Sequence, residues 1–447
     1  MFAPADDIER YLVSVVERYG LRKYMRFNTA VSSAAFDDKS CMYTISATDL
    51  SEAKNPKPLS LRAKFLISCT GQLNVPKLPR YAQDFISQNP TVVSSKSTSP
   101  HLPIVMHSAE FDRSVSLSGK TIAIVGNGST GVQLVEALQP VAGRLLLFQR
   151  SPKWVLAKPF LRLPRLVLGL LQSLPFNFGN RLMRYACFAA IELLHVIVSK
   201  VGFVQRLFEG HLSSGILRAN ANAREMNCVP DYRPGCSRII VHAGYPAFLT
   251  RPNVTVVNDD IAGLTKEGKI KTKSDGGVES LHGVDVIIFA TGFDVTDCGP
   301  QFAVTNSAGK TLKETWREAK ERWGGTTLFG IVTPTFPNLF IMYGPHTNTI
   351  LGSITFFSEC AAGYISQCIS KVMKSGAKKV TVKEERVVAY NRGVAKNFEG
   401  RPEMDTCSAW YKGDGKGAGV PITNFPGGMT EYWWKTKRWI WEDFVVE

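Results

Sequence analysis

The sequence lacks the features that mark several large classes of protein. Its nine cysteines form no CxxC pair, which argues against a disulfide framework or a metal site and favours a reducing, cytoplasmic compartment. The N-terminal segment MFAPADDIERY has no apolar core of the kind found in secretory signals. The sequence shows no internal repeat and no low-complexity linker. What is there is a chain of 447 residues, 44% of them apolar, which is enough to form two folded domains.

The sequence has fewer acidic than basic residues: it contains 38 Asp and Glu and 53 Lys and Arg, which gives a net charge of +15. Neither a basic helix nor a zinc-finger spacing accompanies this charge, so nucleic acid is not an expected partner. The excess suits an anionic cofactor or a membrane surface. Lysines scattered over a solvated face are the favoured interpretation.

The most apolar stretch, residues 160–208, contains no uninterrupted run of the ~20 residues that a membrane-spanning helix needs. Its best run, residues 185–199, is interrupted by Glu192 and His195. The pattern predicts a pair of buried helices within an insert of about residues 152–227. A helix lying on a membrane surface is the alternative, which the neighbouring arginines favour.

Short elements are predicted on both sides of this insert. Asp6 or Asp7 is expected to cap a helix that ends near Arg18 and carries its apolar residues on one face. Strands are predicted at residues 25–34, 42–48, 63–69, 239–241, 254–257, 284–289 and 338–342, a hairpin turn at 37–40, and a long helix at about 358–375.

Residues 120–150 have the pattern of a βαβ dinucleotide-binding unit. Thr121–Val125 is a continuous apolar strand, as expected for a parallel sheet covered on both faces, and it leads into the turn GNGSTG. In such a GxGxxG turn, Gly126 allows the tight bend, Gly128 lets a pyrophosphate approach the backbone, and Gly131 lets the helix pack on the strand. A purely structural glycine turn is the alternative.

An amphipathic helix and a second strand, Arg144–Phe148, follow the turn at the expected distance. The start of that helix offers free N–H groups and the positive end of its dipole to phosphate. The candidate cofactor-binding residues here are Gly126, Asn127, Gly128, Ser129, Thr130, Gly131, Val132 and Gln133.

The end of the second strand distinguishes between the two nicotinamide cofactors. An acidic residue there would bind the ribose 2′-hydroxyl of NAD. This sequence instead has Arg150 and Ser151, which offer a guanidinium and a hydroxyl to the 2′-phosphate of NADP(H). A solvated arginine with no ligand is the alternative.

Several segments together resemble the Baeyer–Villiger branch of the flavin-containing monooxygenases, in the order in which that family has them. They are Phe65–Gly71 (FLISCTG), the glycine turn with FQRSPKW, Asp231–Arg238 (DYRPGCSR), Ala290–Asp294 (ATGFD), Phe336–Pro345 (FPNLFIMYGP) and Cys407–Tyr411 (CSAWY). The resemblance implies an α/β fold of two interleaved Rossmann-like domains with a helical insert. It implies an FAD-binding domain formed by residues 1–116 and 300–447 and an NADP-binding domain formed by residues 117–299.

The activity implied by the resemblance is that of an FAD- and NADPH-dependent monooxygenase. Such an enzyme uses O2 to insert one oxygen atom into a small-molecule ketone and gives an ester or a lactone. A flavin monooxygenase that oxygenates nitrogen or sulfur is one alternative. A non-redox protein that binds NADP(H) or a protein partner, derived from such an enzyme, is another.

The resemblance also assigns roles to individual residues. Arg238 matches the arginine that the family places beside the flavin, where a fixed cation would stabilise developing negative charge. A surface arginine near a turn is the alternative. The histidine of the family fingerprint is retained as His107. The remaining family positions at cofactors are Val31, Thr70, Gly71, Thr291, Gly292, Gly344 and Pro345. His346, beside the last pair, is expected to be structural.

The sequence departs from the family in two places. His101, Pro103 and Phe111 stand where the fingerprint has Phe, Gly and Trp, and proline cannot supply the positive φ that glycine allows. The first GxGxxG, which in the family holds the FAD pyrophosphate, has no counterpart after Met1. A truncated sequence is the favoured explanation, ahead of a chain that has lost flavin or a partner that supplies the missing half.

Overall fold

A computed structural model describes residues 4–52, 55–93, 101–156, 169, 173, 178–200, 202–242, 244–295, 298–318, 326–407, 409–412 and 421–447. Its helices are α1 (Ala5–Arg18), α2 (Arg80–Gln88), α3 (Ser129–Leu138), α4 (Phe178–Lys200), α5 (Gly202–Ala219), α6 (Tyr245–Phe248), α7 (Leu312–Glu318), α8 (Ile354–Lys374), α9 (Glu384–Phe398) and α10 (Met429–Thr436).

The strands of the described residues form six sheets. The strands are β1 (Thr29–Asp37), β2 (Met42–Asp49), β3 (Lys57–Ala63), β4 (Leu66–Ser68), β5 (Ile104–His107), β6 (Thr121–Val125), β7 (Arg144–Phe148), β8 (Val155–Leu156), β9 (Ile240–Val241), β10 (Val254–Val257), β11 (Asp260–Leu264), β12 (Ile270–Lys273), β13 (Glu279–His282), β14 (Val286–Phe289), β15 (Ala303–Thr305), β16 (Leu339–Ile341), β17 (Val380–Val382) and β18 (Phe444–Val446).

Five parallel strands form the central sheet of one unit, in the order β10-β7-β6-β14-β5. Strand β14 is completely buried, and β6 is buried except at its first residue, because both faces of the sheet are covered. Helix α3 and part of the insert pack on one face, and α2 with the sheet β11–β13 covers the other. The NADP-binding domain was predicted to begin at residue 117. Strand β5, at residues 104–107, already belongs to the sheet of this unit.

The other unit combines a four-stranded sheet, β15-β1-β2-β3, with the parallel pair β4–β16. Helices α8, α9 and α10 surround its largest apolar cluster, in which Phe357 stacks on Tyr432 with ring centroids 4.4 Å apart. The chain passes from this unit to the central sheet after β4 and returns after β14. The two crossings lie side by side, since Lys77 N donates to Gly292 O and Asp294 N to Val75 O, both at 2.9 Å. This interleaving confirms the predicted fold class.

Helix α1 forms where the periodicity predicts it, but two details differ. Its N-cap is Pro4, which offers no side-chain acceptor, so the predicted capping by Asp6 or Asp7 is wrong. None of its residues is buried, and Tyr11 is 66% exposed. Periodicity shows that a helix is amphipathic, and it does not show what covers the apolar face.

The insert contains the predicted pair of helices, α4 and α5, and its residues 157–168, 170–172, 174–177 and 201 lie outside the described part. The prediction that the pair is buried is confirmed only in part: Leu212 and Ile216 of α5 belong to the core, whereas Phe178, Tyr185 and Phe203 are 60%, 68% and 74% exposed. Helix α4 also contacts the other unit, where the Glu192 carboxylate accepts a hydrogen bond from Met429 N at the start of α10. In the described part of the chain, no helix has the length and apolar character required to cross a membrane.

Candidate functional site

A cavity of about 680 Å³ opens at the carboxyl end of the five-stranded sheet. It lies where the strand order reverses beside β6, the position at which open parallel sheets bind ligands. Its walls come from separate parts of the chain. They include residues 126–130 after β6, 148–151 at the end of β7, 237–238 before β9, 259–261 after β10 and 290–293 after β14.

The glycine turn after β6 allows close approaches that no larger residue would. Gly126 has a φ of +108°, and a Cβ there would lie 2.7 Å from the carbonyl oxygen of Ala290. A Cβ on Gly131 would overlap the carbonyl oxygen of Gly126. By contrast, a Cβ on Gly128 would meet no protein atom within 4 Å, so the space in front of Gly128 is open to a ligand.

Helix α3 begins at this turn. Gly128 is its N-cap, and Ser129 and Thr130 line the cavity with the first exposed turn of the helix. Val132 is buried against the sheet. Gln133 does not line the cavity, since its Nε2 donates to the carbonyl oxygen of Ser129 at 3.0 Å on the exposed side of the helix.

A buried amide network holds the end of β7 against the glycine turn. Asn127 Nδ2 donates to Gln149 Oε1 and to the carbonyl oxygen of Ser151, both at 2.9 Å. Gln149 Nε2 in turn donates to Asn258 Oδ1 at 2.9 Å. This network places Arg150 and Ser151 on the wall of the cavity, as the sequence predicted.

Lys153 was missed by the sequence interpretation, although it belongs to the segment FQRSPKW. It lines the same cavity as Arg150, and burial, with the neighbouring Arg150 charge, lowers its pKa to about 8. Lys153 follows Ser151 by two residues, the spacing that places two side chains on the same side of an extended chain. That spacing is a signal in the sequence that could have identified it.

Arg238 also lines the cavity, so the structure brings it together with the glycine turn and Arg150. Burial raises the pKa of Tyr343 to about 12, and the nearby positive charge of Arg238 acts in the opposite direction. Tyr343 precedes Gly344. Arg238 therefore lies between the dinucleotide cavity and the segment predicted to meet the flavin.

A disulfide anchors the loop that carries Arg238. Cys236 is bonded to Cys407, 171 residues away, and the Tyr411 hydroxyl donates to the carbonyl oxygen of Cys236. In the same region Arg233 pairs with Asp405 at 2.5 Å. The expectation of a chain without structural disulfides is wrong at this pair, because the two cysteines are brought together only by the tertiary fold.

His107 ends β5 and lies behind the cavity rather than on its wall. Its ring contacts Phe293 edge to face at 5.9 Å, and its Nδ1 accepts a hydrogen bond from Ala109 N at 3.1 Å. Burial lowers the pKa of His107, while the backbone of Gly292 acts against that shift. Thr291 and Gly292 themselves line the cavity.

Thr70, Gly71, Gly344 and Pro345 form a second group, at the carboxyl ends of the paired strands β4 and β16. Gln72 Nε2 connects the two turns by donating to the carbonyl oxygen of Gly344 at 2.7 Å. Val31 is apart from both groups, at a bulge of β1, and is 40% exposed. The cofactor roles of these residues stay predictions.

Buried polar atoms near Gly344 are consistent with a ligand there. The side-chain atoms Gln72 Oε1, Asn348 Oδ1 and Asn424 Nδ2 have no hydrogen-bond partner within the described residues. Such groups are costly unless a ligand or water satisfies them. His346 is fully buried at φ +56°, and burial lowers its pKa to about 4, so it is neutral at pH 7.

Removal of the disulfide is expected to destabilise the fold. The Cys407→Ser variant should lose about 2–5 kcal/mol of unfolding free energy, because the unfolded chain regains the entropy of a long closed loop. Denaturant titration measures this loss, and a thiol reductant should reproduce it in the unaltered protein. Cys187→Ser, which changes a free cysteine, is the control. Equal midpoints for both variants would contradict the structural role of the disulfide.

Comparisons of the sequence and of the structure with known proteins both find monooxygenases. Residues 1–162 match the family described as flavin-binding monooxygenase-like. A monooxygenase of Mycobacterium tuberculosis is 31% identical over 414 residues, which are 92% of this chain and 76% of that protein. A Baeyer–Villiger monooxygenase of Streptomyces coelicolor is 28% identical over 446 residues, 98% of this chain and 78% of that protein.

Solved structures share the fold. A steroid monooxygenase bound to NADP superposes with a TM-score of 0.76 at 21% identity, covering 99% of this chain and 85% of that chain. Cyclohexanone monooxygenase from Rhodococcus, bound to NADP+, has a TM-score of 0.74 at 20% identity, covering 98% and 83%. The predicted fold of two dinucleotide-binding domains is confirmed by these neighbours.

Proposed function

This chain belongs to the flavin-binding monooxygenase-like family and is a flavin-dependent monooxygenase, and from that premise we propose that it is a Baeyer–Villiger enzyme. Its reductant is NADPH, its flavin is FAD, and its substrates are O2 and a small-molecule ketone. The product is the ester or lactone formed when one oxygen atom enters beside the carbonyl carbon.

The observation that carries this proposal is the convergence of three elements on one cavity. The glycine turn at Gly126, the cation Arg150 and the cation Arg238 all line it, although they come from three separate segments. The first two fit a phosphorylated dinucleotide. Arg238, the third, extends the positive charge toward Tyr343 and the second group of predicted cofactor residues.

The residues present fit NADPH and offer polar contacts to FAD, although the glycine turn that holds the FAD pyrophosphate in the family has no counterpart in this sequence. The open space at Gly128 and the start of α3 would hold the pyrophosphate of NADPH, and Arg150 with Ser151 would hold its 2′-phosphate. The unsatisfied amide atoms of Gln72, Asn348 and Asn424 would meet the polar edge of FAD. When bound, FAD supplies the redox chemistry that activates O2.

The remaining chemistry falls to the side chains. The Arg238 guanidinium is a cation on the cavity wall, where it stabilises negative charge that develops on oxygen. His107 stays mainly neutral at pH 7, since burial lowers its pKa, and it supports the Gly292 turn behind the cavity.

The proposal is tested by mixing the purified protein with FAD, NADPH and isotopically labelled O2. One portion receives a cyclic ketone and another receives a tertiary amine or a thioether. The expected results are flavin absorption in the protein fraction and one labelled oxygen atom in a lactone. Oxygenation of the amine or thioether alone would overturn the Baeyer–Villiger assignment. Retention of NADPH without any flavin would overturn the monooxygenase itself.

Arg150 is expected to select NADPH over NADH. Because a hydrogen bond to a charged group contributes about 1.5–3 kcal/mol, Arg150→Ala should weaken NADPH binding about tenfold to a hundredfold. Binding of NADH, which has no 2′-phosphate, should change little. Dissociation constants for both cofactors measure this difference. The control is Arg144→Ala, since Arg144 is the exposed residue at the other end of β7. An equal loss for both cofactors would refute the role of Arg150 at the 2′-phosphate.

A further inference from the structure

Lys153 is a cation in the dinucleotide cavity to which the proposed function assigns no task. It lies three residues beyond Arg150, between β7 and β8, and lines the same wall of the cavity. Its Nζ donates to Ser237 Oγ at 3.3 Å, and Ser237 directly precedes Arg238. Lys153 thus connects the Arg150 wall of the cavity with the loop that carries Arg238.

The backbone on both sides of Lys153 is held in place. The Tyr232 hydroxyl donates to the carbonyl oxygen of Pro152, and Trp154 Nε1 donates to the carbonyl oxygen of Tyr232, both at 2.8 Å. Ile240 N donates to the carbonyl oxygen of Trp154, also at 2.8 Å. With both neighbours buried, Lys153 has little freedom to turn toward solvent, and its ammonium group is preorganised at the cavity wall.

The charges around Lys153 favour an anion at this wall. Burial and the Arg150 charge lower the pKa of Lys153 to about 8, which shows that its protonated form is disfavoured there. An anion between the two cations would relieve that repulsion. The other titratable or charged groups that face the cavity are Lys77, Tyr81, Arg238, Asp259 and Asp260, and Tyr232 lies behind Lys153.

We propose that Lys153 is a specificity-determining contact for the phosphate groups of NADP(H), acting beside Arg150. The assignment rests on the proposed dinucleotide site. Its chemistry is that of an ammonium group donating to phosphate oxygen, and two phosphates of the cofactor could receive it. These are the 2′-phosphate and the pyrophosphate, which binding experiments can separate.

The experiment measures dissociation constants by calorimetry for NADP+, NAD+ and adenosine 2′,5′-bisphosphate, with the full chain and its Lys153→Met variant. The variant should bind NADP+ about tenfold to a hundredfold more weakly. A matching loss for the bisphosphate, with NAD+ unchanged, assigns Lys153 to the 2′-phosphate. A similar loss for NADP+ and NAD+ assigns it to the pyrophosphate. Unchanged binding of all three overturns the proposal.

The dependence on pH separates a charge contact from a structural effect. As the pH rises from about 7 to about 9, Lys153 loses its proton and NADP+ affinity of the unaltered protein should fall. Lys153→Met should bind weakly across that range without the Lys153-dependent decline. Lys153→Arg should bind tightly, also without that decline. Tyr81 and Tyr232 stay neutral throughout, since burial raises the pKa of each to about 12.

Two controls keep the outcomes distinct. Lys396→Met removes an exposed lysine from α9 and should leave every dissociation constant unchanged. Thermal unfolding of each variant verifies that Lys153→Met is folded. If the unaltered protein itself fails to bind NADP+, the proposed dinucleotide site is wrong and the role of Lys153 falls with it. If the unaltered protein binds NADP+ and Lys153→Met binds it equally tightly, only the role of Lys153 is overturned.

Discussion

Replacement of Arg238 by Met is expected to lower ketone oxygenation by about a hundredfold to a thousandfold, the usual cost of removing a fixed group that stabilises developing negative charge. Met has a similar length and no charge, so the loop anchored by Cys236 and Tyr411 should keep its shape. NADP+ binding should change by less than about tenfold, because Arg150 and the glycine turn remain.

Steady-state kinetics of product formation and a separate NADP+ titration measure these two effects. Arg238→Lys should recover part of the rate, since it restores the charge without the planar guanidinium. The control is Arg251→Met, at an exposed arginine away from the cavity wall. A loss of NADP+ affinity as large as the loss of rate would show that Arg238 acts in cofactor binding rather than in the chemical step.

The glycine turn provides the second large effect, because two of its glycines are required for different reasons. Gly131→Ala should reduce the free energy of unfolding by about 1–3 kcal/mol or more, since the added Cβ overlaps the backbone of Gly126. The strand–helix turn must then open, so NADP+ binding should be lost as well. Chemical denaturation and calorimetry measure the two losses.

Gly128→Ala is the matched comparison within the same turn. Its Cβ would meet no protein atom within 4 Å, so the stability of the protein should stay close to that of the unaltered chain. The methyl group would nevertheless occupy the space of the pyrophosphate and weaken NADP+ binding about tenfold, or about 1.4 kcal/mol. Unchanged NADP+ binding by Gly128→Ala would mean that the cofactor lies elsewhere. A destabilisation equal to that of Gly131→Ala would contradict the geometry of the turn.

The predictions that succeeded depend on residues close together in the chain. The strand Thr121–Val125, the glycine turn and α3 follow one another directly, and all three form where the sequence predicts them. The hairpin turn at residues 37–40 was predicted equally well, since Asp37 binds the backbone N of Ser40 at 3.0 Å within the turn itself. The family, too, follows from the order of short segments along the sequence.

The predictions that failed concern what covers a surface or what meets across the fold. The insert helices α4 and α5 were expected to be buried, yet Tyr185 and Phe203 are exposed. Neither the Cys236–Cys407 disulfide nor the contact between Lys153 and Ser237 was predicted, because their partners are 171 and 84 residues apart. No local pattern reports such pairs.

The sequence by itself determined the strand–turn–helix of a dinucleotide-binding unit, because backbone sterics and hydrogen bonding within a few residues decide that turn. Only the tertiary structure decided which charges share the cavity. Arg150, Lys153 and Arg238 meet because β7, the connection to β8 and the disulfide-anchored loop converge at one edge of the sheet. That convergence depends on the packing of distant segments, and it sets the electrostatic character of the site.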